Sequence, residues 1–345
     1  MKDIIFKKNL NLSPIVIAEV GQNHQGDVNL AKKYIKVFAE AGADFIKFQS
    51  RNNKTLFDPK AYNSLYNSEN SFGTTYGSHR EALELNKKEL TALKNECKKY
   101  RVGFMVTPFD EKSLELITKI GVDLIKIASF DLGNLPFINK IADKKIPVVM
   151  SVGGGNFKQI FDSVKILEKK KIKNIILHCV SEYPCEYDRL DLEKIKLLKK
   201  KFKKSIIGSS DHFNGTLSGP IAYMVGARVF EKHVTLNRGW KGSDHSFALE
   251  PIGFKKFVRD IKRIPKMIKA KSSKEIGKES VFKKLGKSLV LNKKKNKGEK
   301  ITINDLSGKI FLDQYIPVRD SNKVIDKVAK KDFNKGEILK FRDIG

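Results

Sequence analysis

The chain alternates short apolar runs with longer amphipathic segments over most of its length. The apolar runs are rich in β-branched residues, as buried strands are, and occupy residues 15–19, 45–49, 103–107, 124–129, 148–152, 174–179, 206–212 and 228–233. Apolar positions recur at helical spacing between them, for example over 29–42, 87–100, 111–121, 157–170, 191–202 and 217–227. Strands that alternate with helices predict an α/β fold, here a (β/α)8 TIM barrel. A doubly wound open sheet has the same periodicity and stays an alternative.

Glycines mark the ends of several predicted helices, and one connection is much longer than the others. Several helices end at a glycine, a common helix stop: Gly42, Gly121 and Gly226. The gap over 50–86 is long, polar and rich in turns and aromatic residues. Long loops in compact domains are usually functional, and this one follows the carboxyl end of a strand. We therefore expect it to cover the mouth of the barrel.

The last part of the chain contains an internal repeat. Residues 290–306 and 328–344 share a valine start, the letters NKGE and a closing aspartate that an aliphatic residue follows. Two related units of this kind predict a small, pseudo-symmetric β-rich domain. The predicted organisation is a catalytic barrel over 1–270, a linker over 271–284 and a small domain over 285–345.

Composition narrows the class of protein. The net charge is +29, but the excess is mostly lysine, with few arginines and no interleaved aromatic residues, so we expect a solvated surface and no specific nucleic-acid binding. No apolar run reaches the length of a membrane span, and the first residues do not resemble a signal peptide. The three cysteines have no paired spacing. These features predict a cytoplasmic protein without membrane contact.

Nearly every predicted strand ends in a polar or ionisable residue. The residues at or beside these ends are Glu19, Lys47, Gln49, Thr107, Lys126, Ser129, Ser151, His178, Ser210, His212, Glu231 and His233. In a TIM barrel the carboxyl ends of the strands meet at one face, where active sites lie. A structural ion pair would explain any one of these residues equally well. Their agreement across the strands favours an active site.

The residue types indicate the chemistry. Lysines and hydroxyl groups are suited to bind phosphate and carboxylate, so the substrate should be anionic. His212 and His233 end neighbouring strands and can share a divalent metal ion; satisfied core histidines or acid/base groups are the alternatives. His24 lies on a glycine-bounded loop, where a role in turn structure and a substrate contact are both open.

Several longer motifs resemble one known family. They are IAEVGQNHQGDVNLAKKYI, AGADFIKFQ, SFGTTYGSHREALEL, LHCVSEYP, GSSDH, FEKHVTLNRGWKGSDHSFALEP and KLGKSLV. Together they resemble the sialic acid synthase family, which comprises N-acetylneuraminate synthases and their pseudaminate and legionaminate relatives. The resemblance extends over essentially the whole chain and includes the C-terminal antifreeze-like domain of that family.

The resemblance implies a metal-dependent condensation of phosphoenolpyruvate with an open-chain N-acyl amino sugar, giving a nine-carbon 2-keto sugar acid and phosphate. The motifs SFGTTYGSH and WKGSDHS favour a mannosamine-type acceptor. A synthase for legionaminate or pseudaminate, and a catalytically inactive carbohydrate-binding relative, remain alternatives.

The resemblance also implies residue roles. The phosphoenolpyruvate pocket would consist of Lys47, Thr107, Lys126, Ser129, Ser151 and Ser210. His212 and His233 would bind the metal, Mn2+ or else Mg2+ or Co2+, and Glu19 would transfer a proton. The residues that would hold the sugar are Gln49, Tyr183 and Asp244.

Two departures from the family pattern concern the dimer and a loop. The family forms homodimers in which the small domain caps the partner's barrel and lends an arginine, but no R-P-G-like loop joins the two repeat units here. Arg319 is the nearest candidate for that arginine. The sequence SVGGG replaces a Ser-Thr/Ser-Gly-Met loop, and its glycines predict a more flexible loop after Ser151.

Overall fold

Eight parallel strands close into a barrel in the first of two compact units. The computed structural model describes residues 2–273 and 275–345, and the units divide between Ile268 and Lys269. The strands are β1 (Ile15–Gly21), β2 (Phe45–Ser50), β3 (Gly103–Pro108), β4 (Leu124–Ile127), β5 (Val148–Ser151), β6 (Asn174–Cys179), β7 (Ile206–Asp211) and β8 (Val229–His233). Each strand pairs with the next, and β8 pairs with β1. The predicted TIM barrel is confirmed, and the open sheet is excluded.

Helices follow the strands along the chain. Those of the first unit are α1 (Lys2–Lys7), α2 (Val28–Glu40), α3 (Asn53–Leu56), α4 (Pro59–Asn63), α5 (Tyr76–Glu81), α6 (Lys87–Lys99), α7 (Glu111–Ile120), α8 (Leu135–Asp143), α9 (Phe157–Lys169), α10 (Lys194–Lys201), α11 (Ser218–Val225) and α12 (Pro251–Met267). The long insertion after β2 therefore contains three short helices, α3 to α5. Short 3-10 turns occupy Ser129–Asp131 and Tyr187–Arg189.

Local sequence signals explain where the helices begin and end. The Asp27 carboxylate accepts hydrogen bonds from two backbone amides at the start of α2, and Asn156 forms a capping box at the start of α9. Gly121 ends α7 in the left-handed conformation, with a φ of 83°. Gly42 and Gly226 also have positive φ values, so all three predicted glycine stops are confirmed.

The core has two layers because alternate strand residues point to opposite sides of the barrel wall. Ile17 and Val229 belong to the cluster inside the barrel, whereas Val16 and Phe230 belong to the cluster between the strands and the helices. Ile5 belongs to α1, the helix that precedes the first strand, and it packs into the inner cluster. The apolar part of each strand thus fills the barrel, and the polar ends remain at its carboxyl face.

The second unit is built from the predicted repeat. It contains α13 (Ser280–Leu285) and an antiparallel pair, β9 (Ser288–Leu291) and β10 (Leu306–Lys309). The two repeats pair with each other in antiparallel order through the bridges Val290–Ile338, Lys295–Phe333 and Lys300–Val328. Gly298 and Gly336 occupy matching turns with φ values of 87° and 83°. Within the described residues, no helix has the length and apolar character needed to cross a membrane.

Candidate active site

The carboxyl ends of the strands open into a cavity of about 350 Å³. Apart from His178, the strand-end and sugar-binding residues that the sequence predicts within the barrel line it: Glu19, Lys47, Gln49, Thr107, Lys126, Ser129, Ser151, Tyr183, Ser210, His212, His233 and Asp244. Glu231 also lines the cavity. The prediction that the strand ends converge is therefore confirmed for these side chains, whereas their individual roles stay predictions.

Alternating charges form a line across the floor of the cavity. Lys47 Nζ lies 2.7 Å from Glu19 Oε1 and 3.5 Å from Glu231 Oε1. Lys126 Nζ lies 3.9 Å from the same Glu231 oxygen. All four side chains are buried, so each charge depends on its neighbours for the stabilisation that water would otherwise provide.

The two carboxyl groups have pKa values shifted in opposite directions. Burial raises the pKa of Glu19 above its ordinary value, and Lys47 offsets only part of that effect. Burial acts on Glu231 in the same sense, but Lys126 and Lys47 together lower its pKa below the ordinary value. Glu19 is thus suited to exchange a proton, while Glu231 remains ionised between the two lysines.

Hydroxyl groups surround the lysine side of the cavity. Thr107 Oγ1 accepts a hydrogen bond from Lys47 at 3.3 Å, and Ser210 Oγ donates to Glu231 at 3.1 Å. Ser129 Oγ accepts from the Gly153 amide at 3.1 Å. Ser151 Oγ is buried and has no hydrogen-bond partner within the described part of the chain. Its hydroxyl is therefore free for a ligand.

The glycine loop after β5 is closely packed. A Cβ atom added at Gly153 would lie 2.4 Å from Ser181 Oγ, and one at Gly155 would lie 2.0 Å from Leu132 Cδ2. Positions 153 and 155 therefore require glycine for steric reasons. The greater flexibility of the loop stays a prediction. This close approach allows the loop backbone to hold the Ser129 hydroxyl.

The two predicted metal ligands lie side by side. The ring centroids of His212 and His233 are 5.3 Å apart. His212 donates from Nδ1 to the Val180 carbonyl at 2.8 Å, which leaves Nε2 with its lone pair. Burial lowers the pKa of His212 to about 4, with a further contribution from His233, and burial also lowers the pKa of His233. Both rings are therefore neutral near pH 7, the form that binds metal.

The donor set fits a divalent ion with two protein ligands. Among residues 2–273 and 275–345, no three His, Cys, Asp or Glu side chains form a metal-binding cluster. His233 Nδ1 is buried without a hydrogen-bond partner in this part of the chain, and it lies 3.6 Å from Asp244 Oδ2. An orphaned imidazole nitrogen beside a second neutral imidazole is what a metal with remaining water or substrate ligands requires.

Aromatic and polar groups form the opposite side of the cavity. The Tyr183 ring packs against His212 with 3.9 Å between centroids. Gln49 donates from Nε2 to Glu19 Oε1 at 2.7 Å. Because Gly21 has no side chain, its backbone can lie close to Gln49, Glu19 and Asp244. These groups offer a polar surface to a second substrate next to the lysine side.

Several cavity residues were not predicted as site residues. They are Gln22, Arg51, Arg80, Phe109, Ala128, Phe130, Cys179 and Ser243. Arg51 and Arg80 come from the 50–86 segment, so that segment does contribute to the mouth of the barrel. Most of these residues follow a strand end within a few positions, which is the one sequence signal that points to them.

The expectation for His178 is wrong, and the structure shows the surroundings of His24 and Arg319. His178 ends β6 but points away from the cavity and contacts the Leu190 carbonyl at 2.8 Å, because Cys179 has the inward orientation. His24 has a role in turn structure, since its Nδ1 accepts from the Gly26 amide at 3.1 Å. Arg319 lies in the C-terminal unit, with its guanidinium 5.2 Å from the centroid of the Phe282 ring.

Comparison with known proteins agrees with this geometry. A model of the NeuB family matches residues 34–273. The chain belongs to the NeuB family. The N,N'-diacetyllegionaminic acid synthase of Campylobacter jejuni is 34% identical over 94% of this chain and 98% of its own length. The N-acetylneuraminate-9-phosphate synthase of Drosophila melanogaster is 32% identical over 95% of this chain and 94% of its own length.

A solved structure extends the likeness from sequence to fold. The N-acetylneuraminic acid synthetase of Leptospira borgpetersenii is 34% identical, with a TM-score of 0.68 over 77% of this chain and 90% of its own. The NeuB family relatives are thus named as synthases of several related sugar acids. Membership confirms the resemblance inferred from the motifs, and it makes this chain a member of an enzyme family.

Proposed function

We propose that this NeuB family protein condenses phosphoenolpyruvate with the open-chain form of an N-acyl amino sugar related to N-acetylmannosamine. The products are a nine-carbon 2-keto sugar acid and inorganic phosphate. The observation that carries the proposal is the cavity itself, in which two buried lysines and four hydroxyl residues lie beside a carboxyl group of raised pKa and two neutral imidazoles. Such a set can bind an anion and move a proton next to it.

Unpaired buried atoms support a polar ligand in the cavity. Among the described residues, the cavity-lining atoms without a hydrogen-bond partner include Glu19 Oε2, Gln22 Nε2, Ser151 Oγ, Glu231 Oε2 and His233 Nδ1. Buried polar atoms are normally paired, so a concentration of unpaired ones indicates a site completed by a bound molecule. A small apolar ligand would leave all of them unpaired.

The proposed reaction forms one carbon–carbon bond and breaks one carbon–oxygen bond. C3 of phosphoenolpyruvate bonds to the aldehyde carbon of the sugar, whose oxygen gains a proton. Water then adds at C2, and the bond between C2 and the phosphate oxygen breaks, which leaves the 2-keto acid and phosphate. The lysines and hydroxyls hold the phosphate and carboxylate of phosphoenolpyruvate, and Glu19 transfers the proton. Gln49, Tyr183 and Asp244 hold the sugar in reach of C3.

We further propose that His212 and His233 hold a divalent cation, with Mn2+ preferred over Mg2+ and Co2+. The chemistry that such an ion supplies when bound is Lewis-acid polarisation of the aldehyde carbonyl. His212 is oriented for this task by the Val180 carbonyl, and Tyr183 shields its ring from water. Metal analysis of the purified protein tests the assignment, because His212→Ala should lose both bound metal and turnover. A variant that keeps both would contradict it.

Phosphate release with a panel of acceptors tests the reaction. The protein is incubated with phosphoenolpyruvate, Mn2+ and N-acyl hexosamines, each with and without a 6-phosphate, and product masses are recorded. We expect release that depends on the sugar, and we expect Lys126→Met to abolish it. Lys140→Met, which alters a half-exposed lysine outside the cavity, serves as the matched control. Release without sugar, or none with any acceptor, would overturn the proposal.

The same panel addresses a second candidate, a synthase of legionaminate or pseudaminate. The observation in its favour is the identity to the legionaminic acid synthase of C. jejuni, which matches the identity to the neuraminate branch. Diacetylated, deoxygenated hexosamines in the panel would be the preferred acceptors in that case. The product mass then distinguishes the two sugar acids.

We also propose a cytoplasmic homodimer in which the antifreeze-like C-terminal unit of one copy covers the barrel of the other. Free cysteines at 97, 179 and 185 suit a reducing compartment. Ile310 and Leu312 of the C-terminal unit are exposed apolar side chains two positions apart, and a partner subunit could cover them. Light scattering should give twice the 39.1 kDa chain mass, and Arg319→Ala should raise the KM for the sugar. A monomer with full activity would contradict this arrangement.

A further inference from the structure

We propose that Arg51 is a positioning residue that fixes the side-chain amide of Gln49 with its Nε2 group toward Glu19 and the acceptor. Gln49 then presents a hydrogen-bond donor, and not a carbonyl oxygen, to the sugar. The inference rests on the proposed condensation and adds a determinant of acceptor binding to it. One chain of contacts supports it, from Glu84 to Arg51 to Gln49 to Glu19, and this chain enters the cavity from the segment after β2.

The direction of the hydrogen bonds decides how the amide lies. Arg51 Nη2 donates to Gln49 Oε1 at 2.6 Å, and Gln49 Nε2 donates to Glu19 Oε1 at 2.7 Å. A guanidinium group has only donors, and an ionised carboxylate has only acceptors. Rotating the amide by half a turn would place donor against donor on one side and acceptor against acceptor on the other. Arg51 and Glu19 therefore permit one orientation of Gln49.

Arg51 is itself held in place from three directions. Its backbone amide donates to Glu84 Oε2 at 2.9 Å, and its Nη1 lies 3.4 Å from Glu84 Oε1. The guanidinium packs on the Phe109 ring, 3.8 Å from the centroid. The side chains of Arg51 and Glu84 are only 9% and 13% exposed. Because burying such a pair costs desolvation energy and gives little net stability, a functional reason for its position is indicated.

The space around the amide is also restricted on its other side. A Cβ atom at Gly21 would lie 3.3 Å from Gln49 Nε2 and 3.4 Å from Glu19 Oε1. The φ of Gly21 is 57°, a value at which residues other than glycine are strained. The backbone of β1 thus approaches the amide closely, and a side chain at position 21 would displace the amide from between Arg51 and Glu19.

This orientation restricts what Gln49 offers to a bound sugar. One hydrogen of Nε2 is directed to Glu19, which leaves its second hydrogen for a ligand, whereas Oε1 lies against the cation of Arg51 and is a poorer site for a second donor. The part of the acceptor that meets Gln49 is then an oxygen with a lone pair, a hydroxyl or carbonyl oxygen. An N–H group of the acyl substituent would not be accepted there.

A charge reversal separates positioning from simple stabilisation. The double variant Arg51→Glu/Glu84→Arg keeps a buried ion pair but places an acceptor against Gln49 Oε1. The amide then lies between two carboxyl groups, so it should lose its single orientation. We expect kcat/KM for the sugar to fall about 10- to 100-fold, the loss typical of one mispaired buried hydrogen bond. The KM for phosphoenolpyruvate should change less than about 3-fold, because the amide does not face its proposed pocket.

A second pair of variants covers the case in which the reversal does not fold. Arg51→Lys retains a donor-only cation, whereas Arg51→Met retains the bulk without any donor. We expect Arg51→Lys to keep most of the sugar kcat/KM and Arg51→Met to lose about as much as the reversal. Equal activity of these two variants would overturn the proposal, as would wild-type sugar kinetics in the folded charge reversal.

A measurement without turnover distinguishes failure of this inference from failure of the proposed reaction. Crystals of the wild type and of the double variant at about 1 Å resolution, or neutron diffraction, show which atom of the Gln49 amide faces Glu19. We expect only nitrogen toward Glu19 in the wild type, and a mixture of the two orientations in the double variant. A single orientation with nitrogen toward Glu19 in both proteins would refute the positioning role even if no acceptor in the panel is used. Inactive wild-type enzyme with the expected orientations would refute only the proposed reaction.

Discussion

Asp211 and Lys232 form a buried ion pair on the outer side of the barrel, directly behind the hydrogen bond between Ser210 and Glu231 on its inner side. Lys232 also donates to the Phe213 carbonyl. The two neighbouring strands β7 and β8 are thus joined by polar side chains on both faces. The outer pair holds the strand ends in register, and the inner pair faces the cavity.

Removing the cation of the outer pair should destabilise the barrel strongly. In Lys232→Met, Asp211 remains buried without its counter-charge, and we expect a loss of about 3 to 5 kcal/mol in unfolding free energy. Urea unfolding followed by the fluorescence of Trp240, the single tryptophan of the chain, reports on the barrel unit. The double variant Asp211→Asn/Lys232→Met should recover part of the loss because it leaves no unpaired charge.

An exposed ion pair provides the control for this experiment. Lys140 and Glu111 lie 3.0 Å apart, and both side chains are 56% exposed. Lys140→Met should therefore cost less than about 1 kcal/mol. Similar losses in Lys232→Met and Lys140→Met would show that burial does not set the strength of the Asp211–Lys232 pair.

The two-residue period of a strand made much of the site predictable. The alternation along β8 places Val229, Glu231 and His233 on the inner side and Phe230 and Lys232 on the outer side, as the sequence indicates. Polar residues at the carboxyl ends then identify the cavity without any knowledge of the loops. The alternation of strands and helices and the strand-end residues of the cavity follow from local pattern, whereas closure of the barrel and the roles of Tyr183 and Asp244 do not.

A polar residue at a strand end does not by itself show which way its side chain points. In the run NIILHC of β6, His178 belongs to the outward register with Ile176, and Cys179 belongs to the inward register with Ile175 and Leu177. Arg51 belongs to no strand or amphipathic helix, so no periodic pattern predicts the direction of its side chain. Glu84, 33 residues later in the chain, holds it at the cavity. Arg319 lies in the C-terminal unit, and the periods of strands and helices give no information about its role.

The unpaired hydroxyl of Ser151 should matter for substrate and not for stability. Ser151→Ala removes a buried oxygen that has no hydrogen-bond partner within the described residues, so its melting temperature should stay close to that of the wild type. If the hydroxyl binds the phosphate of phosphoenolpyruvate, kcat/KM for that substrate should fall about 10- to 100-fold. Steady-state kinetics at saturating sugar measure the change.

Ser209 is the matched control for Ser151. It is also a buried serine of a barrel strand with an unpaired hydroxyl, but it does not line the active-site cavity. Ser209→Ala should leave both kinetics and stability unchanged. Equal kinetic losses in the two variants would show that the effect comes from the strands and not from a bound phosphate.

His24 should make the barrel less stable in mild acid. Burial lowers its pKa to about 4, and the hydrogen bond with the Gly21 backbone offsets only part of this effect. Since the pKa is near 6.5 in the unfolded chain, the unfolded state binds the proton first as the pH falls. The stabilising contribution is complete above about pH 6.5 and is lost toward pH 4, by about 1.4 kcal/mol per unit.

His24→Gln removes this dependence without adding a titrating group. Its unfolding free energy, measured by Trp240 fluorescence between pH 7 and pH 4.5, should decline less steeply than that of the wild type. The other histidines are present in both proteins, so their contributions cancel in the comparison. Parallel curves for the two proteins would show that His24 is not responsible for acid sensitivity.

The closing aspartates of the two repeats, Asp305 and Asp343, have different surroundings, and that difference is testable. Asp305 is buried and contacts Lys293 at 2.7 Å and Lys295 at 2.9 Å, and its carboxylate also accepts from the Thr302 amide at 2.7 Å. Burial alone would raise its pKa, but these cations and hydrogen bonds hold the pKa well below its usual range. Asp343, its counterpart, is less buried and lies 3.7 Å from Arg342.

Asp305→Asn should therefore loosen the C-terminal unit, while Asp343→Asn should not. The neutral amide weakens both ion pairs and leaves two lysines beside a buried group, so we expect amide hydrogens of β9 and β10 to exchange about tenfold faster or more. Mass spectrometry of peptides from residues 288–309 measures this exchange in the full chain. Equal acceleration of amide exchange in the two variants would show that the charge cluster at Asp305 stabilises this unit no more than the surroundings of Asp343 do.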